Sequence, residues 1–246
     1  MTRKSLKALK FALAISCVIL LPVAYLAYRA NEIERLSQIA HRPSTEVVSV
    51  NEIGQFKGDA ANMALLAVAL DPNADQSNRI AAIKILTSRT NTDVSGPLSR
   101  LMQPHNGLDL RRAVSDSLQR TSCSSECVER ILQYEERMWF GEKNFEDYHK
   151  ISGDIKWGSD QIEKEQNQLH SQLDLILIRE ASTTVRYLTD IYGLGNAFPS
   201  DFAVDLVGRL KITVACPLLR RSWEGSAHNM QVQQKLQNTI TSLNCP

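Results

Sequence analysis

The longest apolar run lies near the start of the chain. Residues 11–28, FALAISCVILLPVAYLAY, are eighteen positions without a charge. As a helix rising about 1.5 Å per residue the run extends roughly 27 Å, close to the hydrocarbon thickness of a bilayer. Backbone amides in lipid require internal pairing, which a helix supplies. Pro22 removes one of those bonds and permits a kink, while Tyr25 and Tyr28 stand near the outer end, where aromatic rings favour the interface. The pattern predicts one transmembrane anchor over 11–28.

Beyond the span, residues 29–56 read as a juxtamembrane connector: a short helix over 31–39, a break at Pro43, and an isolated strand-like stretch at 46–50. From Lys57 apolar residues recur at helical spacing, and a further helix is predicted from Ser125 to about Phe140, with Val128, Ile131, Leu132 and Met138 inward. Residues 141–158 are irregular and hold Phe145, Tyr148, His149 and Trp157, read as packing under a loop. Asp160 and Glu163 form a capping box that opens a long helix over 160–192, with Leu169, Leu173, Ile176, Leu177, Val185, Leu188 and Ile191 on its stripe. Its first half, 163–170, is nearly all polar and reads as solvated. Gly193 ends it, and short helices follow after Pro199, after Pro217 and from Asn229.

The region from 57 also echoes itself. Leu66-Ala67-Val68-Ala69-Leu70-Asp71-Pro72 is matched 32 residues on by Leu98-Ser99-Arg100-Leu101-Met102-Gln103-Pro104, and Arg79/Arg111, Ala81/Ala113 and Leu86/Leu118 keep the same offset. Each unit reads as a helix ending at a proline turn, then a second helix carrying Arg-x-Ala and a leucine. Helix pairs repeating at this period mark an α-solenoid, whose units bury their faces against neighbours. Over about residues 58–120 the text resembles HEAT-type repeats in its proline before the helix and its Arg-x-Ala inside it. That resemblance implies a protein-binding scaffold and no particular reaction.

Charge orients the anchor. Arg3, Lys4, Lys7 and Lys10 precede the span with no acidic residue, whereas Arg29 and Arg35 after it are matched by Glu32 and Glu34. The positive-inside rule puts this basic tail, residues 1–10, in the cytoplasm and exports the remainder. No small-x-small cleavage site follows, since Tyr28-Arg29-Ala30 places a large ring at the critical position. Cys17 is preceded by too short an uncharged stretch for a lipoprotein signal. The exported part holds 24 Lys and Arg against 27 Asp and Glu, which disfavours a nucleic-acid surface. Eleven glycines in 246 residues and few aromatics fit helices better than sheets.

Outside the span stand Cys123, Cys127, Cys216 and Cys245. An even number in an oxidising compartment reads as two disulfides. Three pairings are open; Cys123 with Cys127 and Cys216 with Cys245 is favoured, the second clipping the C-terminus back onto the fold. Metal or redox chemistry at Cys123-Ser-Ser-Glu-Cys127 is the sharper alternative, but no histidine is closer than His105 or His149, and the spacing is not C-x-x-C.

Candidate chemistry is sparse. Gly193-Leu-Gly195 follows a helix and lacks the remainder of a phosphate cradle, and none of the common hydrolase, zinc-protease, nucleotide or calcium motifs occurs. Histidines 41, 105, 149, 170 and 228 are scattered, and His170 reads as solvated. The carboxylate pairs Glu135-Glu136 and Glu146-Asp147, flanked by Arg137, Lys143 and Lys150, read as salt-bridged surface. Arg220 and Arg221 with Trp223 form the one basic–aromatic cluster, read first as surface charge beside a packed Trp and, as the alternative, as an interaction site that grips an anionic partner or a lipid headgroup. The sequence therefore predicts an all-α protein: a single N-terminal transmembrane helix, then an exported domain that is HEAT-like over 57–140 and a helical bundle over 141–246. No catalytic, cofactor or metal residues are assigned. The expected function is an envelope-located interaction scaffold touching the bilayer through 11–28 and an unidentified protein through its helices. An envelope enzyme, or an accessory subunit of a membrane complex, is the alternative.

Overall fold

The computed structural model describes residues 24–40, 48–89, 94–103, 106–139 and 159–246, and side chains within these except at 48 and 159–163. Every regular element among them is helical. Two compact units result, Met1–Thr92 and Asp93–Pro246. The boundary divides the segment 57–140 between them, with one echoing helix pair in each.

The first unit holds α1 (24–40), α2 (Val48–Gln55), α3 (Asp59–Leu70) and α4 (Gln76–Thr87). Among the described residues no helix is long and apolar enough to cross a membrane, and most of the 11–28 run, with the basic tail, lies outside the described residues. The end of that run opens α1, where Tyr25, Leu26 and Tyr28 are exposed. The described residues of 29–56 contribute buried side chains to this unit. Ile33, Leu36 and Ala40 recur every three or four positions and are buried, as are Val50 and Ile53. The stretch read as a strand from 48 on is helical, because Val50 and Ile53 fall on one helical face of a segment too isolated to pair as a strand. α2 also lies close to α4: a side chain at Gly54 would meet Ile85 at 3.0 Å.

Arginines close the carbonyl ends of these helices, which have no partners of their own. Arg89 donates from Nη2 to the carbonyls of Gly54 and Phe56, both at 2.9 Å, the first within the last turn of α2 and the second just beyond it. Arg29 donates to the carbonyl of Lys57 at 2.9 Å with its guanidinium over Phe56. Arg79, buried in α4, donates from Nε to the carbonyl of Ala69 at 3.1 Å, in the last turn of α3.

The second unit begins with α5 (Ser95–Ser99), a 3-10 turn (Arg100–Met102) and α6 (Leu108–Arg120). It continues through α7 (Ser125–Trp139), α8 (Ser159–Arg179), α9 (Ala181–Tyr192) and α10 (Asp201–Leu210). A 3-10 turn (Thr213–Ala215), α11 (Cys216–Gly225) and α12 (Met230–Ser242) complete it. Arg111 stands in α6 where Arg79 stands in α4, and it too is buried and donates from Nε to a carbonyl ahead of its own helix, that of Asn106 at 3.0 Å. α6 packs on α8, α7 on α8 and α9, and α10 and α11 on α12. Leu118, Val128, Ile131, Leu132, Leu169, Leu173, Leu177, Leu188, Val207 and Leu236 are fully buried.

The long helix expected over 160–192 is interrupted. Glu180 leaves helical geometry at φ −95°, ψ 32°, and the Thr184 hydroxyl donates to the Leu177 carbonyl at 3.0 Å across the break. Beyond it Val185 and Leu188 keep the expected inward face, whereas Ile191, in the last turn of α9, is 60 % exposed. The break lets Arg179 reach the end of α6, where it donates to the carbonyls of Gln119 at 2.8 Å, Leu118 at 3.1 Å and Thr121 at 2.8 Å. Glu180 accepts from the Cys123 amide at 3.4 Å. The polar half of α8 is not simply solvated either: Glu165 pairs with Arg112 of α6, and Leu169 is fully buried. The side chains of Asp160 and Glu163, and the aromatic loop 141–158, lie outside the described residues.

Gly193 ends α9 at φ 67°, a left-handed cap suited to glycine, and Asn229 caps α12 by accepting from the Val232 amide at 3.2 Å. The cysteines join Cys123 to Cys127 and Cys216 to Cys245, the pairing that their spacing favours. The first pair is buried between the end of α6 and the start of α7. The second ties the C-terminus to α11, helped by Arg220, which donates to the Cys245 carbonyl at 3.0 Å.

Two stability predictions follow from these contacts. Replacing Cys216 and Cys245 by serine opens a loop with a sequence separation of 29, and is expected to lower unfolding free energy by about 3–4 kcal/mol on the chain-entropy model. Arg179→Ala leaves the α6 carbonyls without their guanidinium and is expected to lower it by about 1–3 kcal/mol. Urea midpoints of the full chain measure both; an unchanged midpoint for Arg179→Ala would show that water serves those carbonyls equally well.

Candidate functional site

Three helices of the second unit, α7, α8 and α10, enclose a cavity of about 340 Å³ lined by Glu135, Met138, Trp139, His170, Phe202, Asp205, Leu206 and Arg209. Their placement follows from helical spacing. On α7, Glu135 comes four residues after Ile131 and three after Leu132, so a carboxylate occupies the apolar face and is only 4 % exposed. On α8, His170 follows buried Leu169 and precedes Asp174 by one turn. On α10, Asp205 and Arg209 lie one turn apart beside Leu206 and Leu210.

A buried carboxylate needs hydrogen-bonding partners. Glu135 has one on each oxygen: His170 Nδ1 lies 2.8 Å from Oε1, and Arg209 Nη2 donates to Oε2 at 2.7 Å. The other terminal nitrogen of Arg209 donates to Asp174 Oδ2 at 2.8 Å. On the far side, the His170 ring lies 5.6 Å from that of Tyr134, whose hydroxyl accepts from Arg111 Nη1 at 3.1 Å. Hydrogen bonds thus join the Asn106 carbonyl, Arg111 and Tyr134 on one side, and His170, Glu135, Arg209 and Asp174 on the other, with the Tyr134 and His170 rings in contact between them.

Burial first, and then the charge of Glu135, push the Asp174 carboxyl above its usual value, with Arg209 and His170 pulling the other way. Its Oδ1 is buried without a partner among the described residues. Burial and a hydrogen bond to Glu136 at 2.6 Å hold the Tyr192 phenol above its usual range, and its ring meets Phe202 edge-on at 5.2 Å. Trp139 meets the other side of Phe202 at 6.1 Å and leaves 43 % of its own surface exposed. The cavity therefore has a charged, internally paired floor and an aromatic wall.

The residues singled out from sequence lie elsewhere. The four cysteines are joined in disulfides. Arg220, Arg221 and Trp223 share α11 and do not line the cavity; Arg220 serves the Cys245 carbonyl, Arg221 is exposed, and Trp223 is 38 % exposed. Two readings are corrected. Glu135 is paired, but it is buried against Arg209 and His170 rather than lying on a surface with Arg137, which donates to Gln103 at 3.1 Å. His170 is not solvated, because Tyr134 and Glu135 enclose it and only 20 % of its side chain is exposed. The signal in the sequence was the position of Glu135 on an apolar stripe; the pairing of Arg209 with a residue so distant along the chain left none. Among the described residues no three His, Cys, Asp or Glu side chains are grouped to hold a metal.

Asp174 gives this site a pH dependence. A carboxyl whose pKa is raised on folding weakens the fold where it is ionised, and the penalty fades as pH falls through the raised value. Asp174→Asn removes that acid-favouring contribution, so stability of the variant relative to the parent is expected to be worse at pH about 4 than at pH about 7. Urea midpoints at the two pH values test this, and equal differences would contradict it. No family model, curated protein or solved structure matches the chain.

Proposed function

We propose that this chain is a membrane-tethered, exported helical interaction protein whose docking point is the α7–α8–α10 cavity. The observation that carries the docking reading is the state of the polar groups in that cavity. Both Glu135 oxygens and both terminal nitrogens of Arg209 are engaged within the protein, and Trp139, beside Phe202, leaves 43 % of its surface exposed. Such a site offers surface to a ligand rather than an unoccupied base, and aromatic side chains are the residues most enriched at binding hot spots.

Tethering through 11–28 is supported by the uncharged run, the preceding cations, and the exposure of Tyr25, Leu26 and Tyr28 at the start of α1. Two disulfides favour an oxidising compartment, hence a cytoplasmic N-terminus and an exported domain. The HEAT-like reading of the two helix pairs gains support from Arg79 and Arg111, which hold the same position in their helices and each donate from Nε to a carbonyl earlier in the chain, Ala69 and Asn106. One observation favours an envelope enzyme as the second reading: a glutamate, a histidine and an aspartate meet around one arginine at the cavity floor.

A photo-crosslinking amino acid at position 139 of the full chain, in intact cells, is expected to capture a discrete protein, and the same probe at exposed Glu224 is not. Absence of any adduct specific to 139 would reject the docking reading. Replacing residues 1–30 by a cleavable signal should release the chain from membranes while preserving that adduct; loss of the adduct would instead favour contact through the anchor.

A further inference from the structure

We propose that the cavity receives a basic side chain, an arginine or lysine of a partner polypeptide, placed against Trp139 and Phe202. This deepens the docking reading above and rests on it. The volume of about 340 Å³ lies at the small end of ligand pockets and suits one side chain rather than a folded segment.

Charge selects the sign of the occupant. Glu135 and Asp205 line the cavity, and Asp174 and Asp201 are bonded to the cations at its margin. Against these four carboxylates the described residues set two cations, Arg209 and Lys235. Arg209 bridges Glu135 and Asp174, and Lys235 bridges Asp201 and Asp205, each at 3.0 Å. The surplus is negative whether His170 is neutral or protonated. An anionic ligand would have to draw Arg209 away from two carboxylates and enter a field that repels it. A cation meets the opposite conditions: carboxylates in excess, and an indole whose face attracts positive charge. Of the two carboxylates that line the cavity, Asp205 is the better able to reach the cation, because 44 % of its side chain is exposed, against 4 % for Glu135.

The test uses the full chain in detergent micelles and follows the Trp139 indole N–H resonance, assigned by its absence in Trp139→Phe. Three probes are titrated: N-acetyl-arginine amide, its neutral isostere N-acetyl-citrulline amide, and N-acetyl-glutamate amide. The arginine probe is expected to shift the resonance saturably, with an affinity about ten-fold above that of citrulline that falls as salt is raised. Asp205→Asn should weaken it several-fold while the circular dichroism stays unchanged. Equal binding of citrulline, tighter binding of glutamate, or no saturable shift with any probe would each overturn the proposal. Crosslinks from position 139 without arginine preference would overturn this inference alone and leave the docking reading in place. Arginine preference with no crosslinked protein would overturn the polypeptide as the source of the cation.

Discussion

Helix carbonyl ends are the constraint on which this architecture depends. Each helix leaves its last carbonyls without an internal partner, and a glycine in left-handed geometry is the common remedy. Among the described helices α9 ends on such a glycine, Gly193, and α10 on Lys211 in the same geometry, while arginines serve the ends of α2, α3 and α6. Arg89 closes α2, Arg79 reaches the end of α3, Arg111 serves the turn before α6, and Arg179 closes α6. A guanidinium is suited to the role because it carries several donors on a rigid plane and places positive charge at the negative end of the helix dipole. It also reaches along the chain: Arg179 joins α8 to α6 across some sixty residues of sequence.

The cavity inherits its shape from this device. Arg111 and Arg179 together fix both ends of α6 against its neighbours, and Arg111 passes the restraint to Tyr134 on α7. Tyr134 in turn sets the plane against which His170 stands, and His170 and Arg209 hold Glu135 from opposite sides. The floor is therefore a paired network that joins α7, α8 and α10. Removing one member would leave a buried charge exposed to its unpaired neighbour, a larger loss than the net worth of any single pair.

Much of the helical content was legible from spacing alone, because burial repeats with the helical period in α3, α4, α6, α7 and α12. The caps at Gly193 and Asn229 were legible for the same local reason, and so was the disulfide pattern. What sequence periodicity missed was tertiary. Residues 29–56 carry few enough apolar positions to resemble a spacer, yet Ile33, Leu36, Val50 and Ile53 find a core in the first unit. The interruption at Glu180 has no proline or glycine to announce it, and it coincides with contacts that Arg179 and Glu180 make with α6 and Cys123. The cavity was hidden because its charged residues come from three separated helices. Only Glu135 carried a local signal, a carboxylate on an apolar stripe, and its neighbours Glu136 and Arg137 made it read as surface.

The close spacing of Cys123 and Cys127 has a bearing on how the chain is made. A polypeptide that emerges N-terminus first presents Cys127 only four residues after Cys123, long before Cys216 appears. Sealing that short ring at once leaves Cys216 and Cys245 with no other partner among the cysteines beyond the apolar run. Two of the three possible connectivities are thereby removed by the order of synthesis, without an isomerase having to correct them.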